Sequence, residues 1–334
     1  MHTGKRYTPF EFFRWSLRDT ITLLLVASVP TILFYFEHTY LAIPWQPIAV
    51  LGTALSFVVG FKNNASYGRI WEARQIYGSI INDSRSFGYS IRDILGKDNV
   101  VTQRIFYRHF AWLTALRFQL REKRTWENMG NVRNRKYMKN KYHVSEWNSD
   151  LETELKKLLS ESDYEYIISK KNRATQLTAL QSEEIAQLRN SGIINDFQWN
   201  LLQNSLLKFT DDQGRAERIK NFPYPRNFAS ITTYLMFIFV LLFPFGLLNE
   251  FNKLGNGTCL EGYTIWLNIP ISAIVTWAFH VLDTIGESSV NPFEGSANDV
   301  PITQISRTIE IDMRDMLNET NLPPAIQPEN NIVL

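Results

Sequence analysis

The chain has 334 residues, 35 basic against 33 acidic side chains, and a formal net charge of +2. So even a balance argues against a nucleic-acid partner, and the lone Cys259 excludes a disulfide framework and a cysteine-based zinc site. Mean hydropathy is slightly negative at −0.19, yet the apolar residues are bunched, a pattern expected of a membrane protein with a large aqueous part.

The N-terminal stretch "MHTGKRYTPFEFFRWSLRD" is charged and aromatic, with no small-residue cleavage site, and is not read as a cleavable signal. Four apolar runs follow, at 21–36, 43–61, 228–248 and 263–282. One such run could be a core helix of a soluble protein. Four, arranged as two hairpin pairs with Trp, Tyr and Phe at their ends, predict membrane-spanning helices. The loop "EHTYLA" carries no Lys or Arg and "NEFNKLGNGTCLEG" carries one, whereas Lys5, Arg6, Arg14 and Arg18 precede the first span. The excess of basic residues on one side places both termini and the long middle in the cytosol of a multi-pass cell-membrane protein. Cys259 then lies outside.

The expected organisation is an N-terminal segment with spans one and two (1–61), a cytosolic helical region (62–225), spans three and four (226–285), and a cytosolic C-terminal segment (286–334). In the middle, Ile70, Ile76, Tyr77, Ile80 and Ile81 continue the helix of span two. "DLETELKKLLSES", "TALQSEEIAQLRNSG" and "DFQWNLLQNSLLKF" read as amphipathic helices, the last two joined through Ser191 and Gly192. "FPYP" forms a rigid elbow before span three, and no β alternation is present. The run 121–143 interleaves basic and aromatic residues. Two acids interrupt it and the chain has no basic excess, so it reads as a solvated helix–loop–helix surface facing anionic lipid or solvent.

Enzymatic signatures are missing: there is no phosphate-cradling glycine loop, HExxH or nucleophile elbow. His2, His38, His109, His143 and His280 are scattered without metal spacing, and no cofactor or metal is expected. Spans one to three have no ionisable residue in their interiors. Span four has only His280 and Asp283, near its cytosolic end, which counts against a pump or coupled transporter.

Span two carries the functional signal. Gly52, Ser56 and Gly60 recur at every fourth position, a small-residue face that lets a second helix approach closely. Thr53, Phe57 and Phe61 form the adjacent stripe, which by periodicity alone could face lipid. Below Phe61, however, the helical pattern runs on through Lys62, Asn63, Asn64 and Gly68 without a break. A helix lining an aqueous path has reason to continue in this way. An apolar ring above a polar vestibule is a known way to block ions by dewetting.

"LSFVVGFKNNASYGRIWEAR" resembles the second span of the bestrophin channel family, in Ser56, Phe57, Gly60 and Phe61 and then in Arg69, Trp71 and Glu72. "ERIKNFPYPRNFA", "PFG" at 244–246 and "NPFE" at 291–294 resemble family segments in the same order. The resemblance implies an all-α homopentamer around one pore, with four transmembrane helices per subunit and a large helical cytosolic region. Thr53, Phe57 and Phe61 fall on its three neck positions, with Thr53 in place of a bulky apolar residue. Asn64 and Gly68 fall in the vestibule. A second, cytosolic constriction just after a Trp falls on Leu202, with Leu201 the alternative. Eukaryotic members clasp calcium with an acidic run after Asn-Pro-Phe. Only Glu294 and Asp299 stand here, so little calcium gating is expected and the pattern resembles the bacterial branch. Expected partners are further copies of the chain, membrane lipid and the permeating ions. Small anions such as chloride are the expected cargo. Monovalent cations through the same architecture, and a non-conducting membrane scaffold, are the alternatives. The C-terminal Ile302, Ile305, Ile309, Met313 and Met316 form an amphipathic helix that packs either on a neighbouring subunit or on its own. The last residues, 321–334, read as an extended tail.

Overall fold

Caps and prolines set the limits of the helices in the computed structural model, which describes residues 1–36, 39–130 and 132–334. Glu37 and His38 of the first short loop, and Asn131 of the basic run, lie outside the described residues. The helices are α1 (Pro9–Tyr35), α2 (Trp45–Leu95), α3 (Val100–Arg121), α4 (Val132–Lys141), α5 (Ser145–Asn148), α6 (Leu151–Lys156), α7 (Glu161–Ile168), α8 (Arg173–Asn190), α9 (Asp196–Asn221), α10 (Arg226–Leu254), α11 (Asn268–Ser288) and α12 (Ile302–Met316). Among the described residues the only β pairing is isolated, between His2, Glu329 and Ile332. Four apolar stretches, in α1, α2, α10 and α11, are long enough to cross a membrane.

Two compact units divide the chain. One comprises residues 4–68 and 224–290, the other 1–3, 69–223 and 291–334. In the first, Thr8 caps α1 through a reciprocal pair with Glu11, and Pro9 takes the first helical position, where a missing N–H costs nothing. Its spans are tied by a buried polar chain. Asn268 Nδ2 donates to Thr31 Oγ1 (2.9 Å) and to the Pro244 carbonyl (3.0 Å), while Ser272 Oγ donates to Asn268 Oδ1 (2.8 Å). In hydrocarbon no water relieves an unpaired polar group, so Asn268 is held there only because each end of its amide has a partner. The close approach of α10 to α2 needs Gly246: a Cβ there would stand 2.4 Å from Ile48 Cδ1.

In the second unit α3 is the central helix. Ile105, Phe106, Phe110, Trp112, Leu116 and Leu120 are all buried within it, with α8, α9 and α12 packed around them. His109 is a packing histidine. Its ring stacks 5.2 Å from Trp112, its Nε2 lies 2.9 Å from Ser84 Oγ, and burial pushes its pKa down to about 3, so it stays neutral.

Two sequence readings are settled here. The segment 150–162 is two helices and not one, because α6 ends at Lys156 and Ser160 caps α7 by accepting from the Asp163 N–H. The C-terminal helix packs on its own subunit: Ile302, Ile309 and Met313 are fully buried, and α12 lies against α3. Gly192, at φ 72°, makes the left-handed turn between α8 and α9.

Candidate functional site

The α2 helix runs unbroken through 51 residues. Its packed edge within the first unit is Ile48, Gly52, Leu55, Val59, Lys62 and Ser66, all buried. The spacing of three and four between them is that of one helix face. On the opposite side Thr53, Phe57, Phe61, Asn64 and Gly68 are exposed, with Phe57 at 65 % and Phe61 at 71 %. The structure therefore leaves the whole expected neck and vestibule stripe uncovered by its own chain. Thr53 Oγ1 donates to the Ala49 carbonyl at 2.9 Å, so the hydroxyl is used within the helix.

The small-residue stripe divides. Gly52 packs inside the chain, where a Cβ would lie 2.9 Å from Phe239 Cε2. Ser56 and Gly60 are exposed, and nothing lies within 4 Å of a Cβ at Gly60.

Leu202 is corrected. It has no exposed surface and belongs to the core of the second unit, so its side chain cannot face an ion path. Leu201, at 52 % exposure, and Phe197, at 88 %, share the outer face of α9 one turn apart. Asn195 starts this helix with a reciprocal cap to Gln198, which leaves Phe197 in the first turn with no packing partner on that side. The sequence reading missed Phe197. Its signal was a large apolar residue two positions after the Asn195 N-cap, on the turn that a globular helix usually makes polar.

Glu294 and Asp299 lie in a buried network whose donors are the protein's own. Glu294 Oε2 accepts from the Asn128 N–H (2.8 Å) and from Asn291 Nδ2 (3.2 Å). Asp299 accepts from the Gly295 N–H (2.7 Å), Ser296 Oγ (2.6 Å) and Arg121 (3.3 Å). Burial, with Asp299 nearby, raises the Glu294 carboxyl well above the usual carboxylate range. Only Glu294 Oε1 is left unpaired, and a calcium ion needs six to eight oxygens. This donor set does not fit calcium. No group of three or more His, Cys, Asp or Glu placed to hold a metal occurs among the described residues.

A helical membrane protein with one long helix presenting aromatic rungs outward is the class these features define. The family model described as bacterial/fungal bestrophin protein matches residues 16–315, and the chain belongs to this family. It is 25 % identical over 320 residues to the voltage-dependent anion channel-forming protein YneE of Salmonella typhi, covering 94 % of this chain and 91 % of that one. It is 24 % identical over 319 residues to the protein of the same name from Escherichia coli K12, covering 96 % and 92 %. A solved bacterial bestrophin homolog from Klebsiella pneumoniae has the same fold. The two superpose with a TM-score of 0.75 at 24 % identity, over 91 % of this chain and 98 % of the other.

Proposed function

We propose that the chain assembles as a homopentameric channel of the cell membrane and conducts small anions such as chloride. The uncovered stripe of α2 carries this reading. Phe57 and Phe61, exposed at 65 % and 71 %, continue along the same helix face into the exposed Asn64 and Gly68, and a stripe that runs on from apolar to polar suits a lumen better than lipid. The relatives named as anion channel-forming proteins supply the choice of cargo. Thr53, Phe57 and Phe61 form the apolar neck and Asn64 and Gly68 the vestibule below it. Ser56 and Gly60 meet the α2 helix or a span of the adjacent subunit. Phe197 and Leu201 form the second constriction in place of Leu202. The loop charges put both termini and the region 62–225 in the cytosol. The neck excludes hydrated ions by dewetting until it widens, with no chemical step and no cofactor.

The test is reconstitution of the purified protein in liposomes under a potassium chloride gradient. A reversal potential near the chloride equilibrium value supports anion conduction, and one near the potassium value turns the proposal to cations. Phe57→Ala with Phe61→Ala should raise conductance severalfold while the assembly keeps its mass. An assembly of unchanged mass with unchanged conductance would remove the neck.

A further inference from the structure

The apolar neck has no charge of its own, yet a buried ion pair stands directly behind it. Lys62 follows Phe61 on α2 and turns onto the packed edge of the helix. Its Nζ lies 2.7 Å from Asp283 Oδ1 of α11, and the two side chains are 5 % and 12 % exposed. A second contact adjoins it. Asn63 lies against Gly286, one helical turn beyond Asp283, where a Cβ would stand 1.9 Å from Asn63 Oδ1, and this buried oxygen has no hydrogen-bond partner. The two contacts, 62 with 283 and 63 with 286, fix the rotation of α2 against α11 immediately below the aromatic rungs.

Packing alone does not explain charges at these positions. Two buried ions lose their hydration, and a pair of apolar side chains of similar volume often serves as well or better. An unscreened charge in a low-dielectric wall does act over a distance that water would quench. Lys62 is the first charged residue on α2 after the neck, and the next, Arg69, comes two turns further on. Asp283 therefore cancels the charge that most directly bears on ions crossing at Phe61.

We infer that Lys62 and Asp283 are specificity-determining residues: their mutual cancellation keeps the wall behind the neck neutral, and any shift in the balance between them moves the neck's preference between anions and cations. The inference rests on Phe57 and Phe61 lining the pore. With the pair intact, the ring behind the neck is close to neutral, and selection is left to the aromatic edges and the vestibule. Breaking the pair in either direction leaves one buried charge per subunit, repeated around the pore axis.

Reversal potentials of the full-length protein in a potassium chloride gradient test this. Asp283→Asn leaves Lys62 unopposed and should raise the chloride-to-potassium permeability ratio severalfold. Lys62→Met leaves Asp283 unopposed and should lower it severalfold. The double variant Lys62→Met/Asp283→Asn should return it to the wild-type value. A residue that only holds the fold would shift both single variants the same way, or neither. If either single variant fails to assemble, Lys62→Asp/Asp283→Lys decides. It keeps an ion pair but holds the carboxylate on a short arm against α2, and should shift the ratio toward potassium. Unchanged selectivity in these assembled variants, with current still flowing, overturns the inference. Absence of current from both the wild type and Phe57→Ala/Phe61→Ala refutes the channel reading instead.

Discussion

Arg121 has no exposed side-chain surface, and it faces Asp299 at 3.3 Å and Glu146 at 3.8 Å. Arg117 reaches the same Glu146 at 2.5 Å and also pairs with Glu154. Arg121→Ala leaves the buried Asp299 without its cation and Glu146 with Arg117 alone, and removing one partner of such a network costs about 3–5 kcal/mol. A lowered unfolding midpoint of the detergent-solubilised protein checks it. Asp212 provides the pH test. Burial raises its pKa from 3.8 to about 6, with Asp83 and Asp211 adding to the shift against the pull of Arg215 and Lys208. The folded chain therefore holds this proton more tightly than the unfolded one. The stability it contributes is present below about pH 4 and lost as pH rises through 6. Asp212→Asn should flatten the stability profile between pH 4 and 6 and leave the variant the more stable protein at neutral pH. The Leu201 and Leu202 pair shows where reading at this scale stops. Two adjacent leucines on a helix point about 100° apart, and which one is buried depends on the neighbouring α3 and α8, not on local spacing.

At the scale of elements, the composition of α2 changes at Lys62 but its packing changes at Gly68. The buried Lys62–Asp283 pair and the buried Ser66, whose hydroxyl donates to the Lys62 carbonyl, extend the first unit beyond the apolar run. A polar residue in sequence looks like the end of a membrane helix, and only its partner on α11 reveals otherwise. The spans, the elbow at 222–225 and the amphipathic α12 were legible because each rests on a local signal of period, cap or proline. The break between α6 and α7 was not, since Ser160 as a cap competes with an apolar spacing that continues through it. The glycines of α2 give a prediction at this level. Both Gly60 and Gly78 have open space around a would-be Cβ in the single chain. Alanine at an exposed helix interior gains about 0.5–1 kcal/mol over glycine. Gly78 is half-buried with room for a methyl group, so Gly78→Ala should raise the unfolding midpoint by a similar amount. Gly60→Ala should instead weaken subunit association, if Gly60 meets a neighbouring helix, and native mass measurement distinguishes the two.

For the whole molecule, the fold class and family could be read from four apolar runs and a handful of short matches in order. The pairing of residues within each unit could not, because contacts such as Asn268 with Thr31 join positions far apart in the chain. What the single chain leaves open is more telling than what it packs. Thr53, Phe57, Phe61, Asn64 and Gly68 on α2 are exposed together, as are Phe197 and Leu201 on α9. Apolar rows of this kind are costly in water unless they close on copies of themselves, and cyclic closure gives every copy the same environment. Closure does not set the number of copies; the family resemblance implies five, so the assembled particle should have five times the 38.9 kDa chain mass. In a Cys259→Ser background, Phe61→Cys and Asn64→Cys should react with a small water-soluble thiol reagent, and the reaction should block current. Leu25→Cys, exposed at 63 % on α1 and so away from the α2 stripe, should react with membrane-soluble reagents and leave current unchanged. Equal insensitivity of current at all three positions would place the aromatic rungs against lipid.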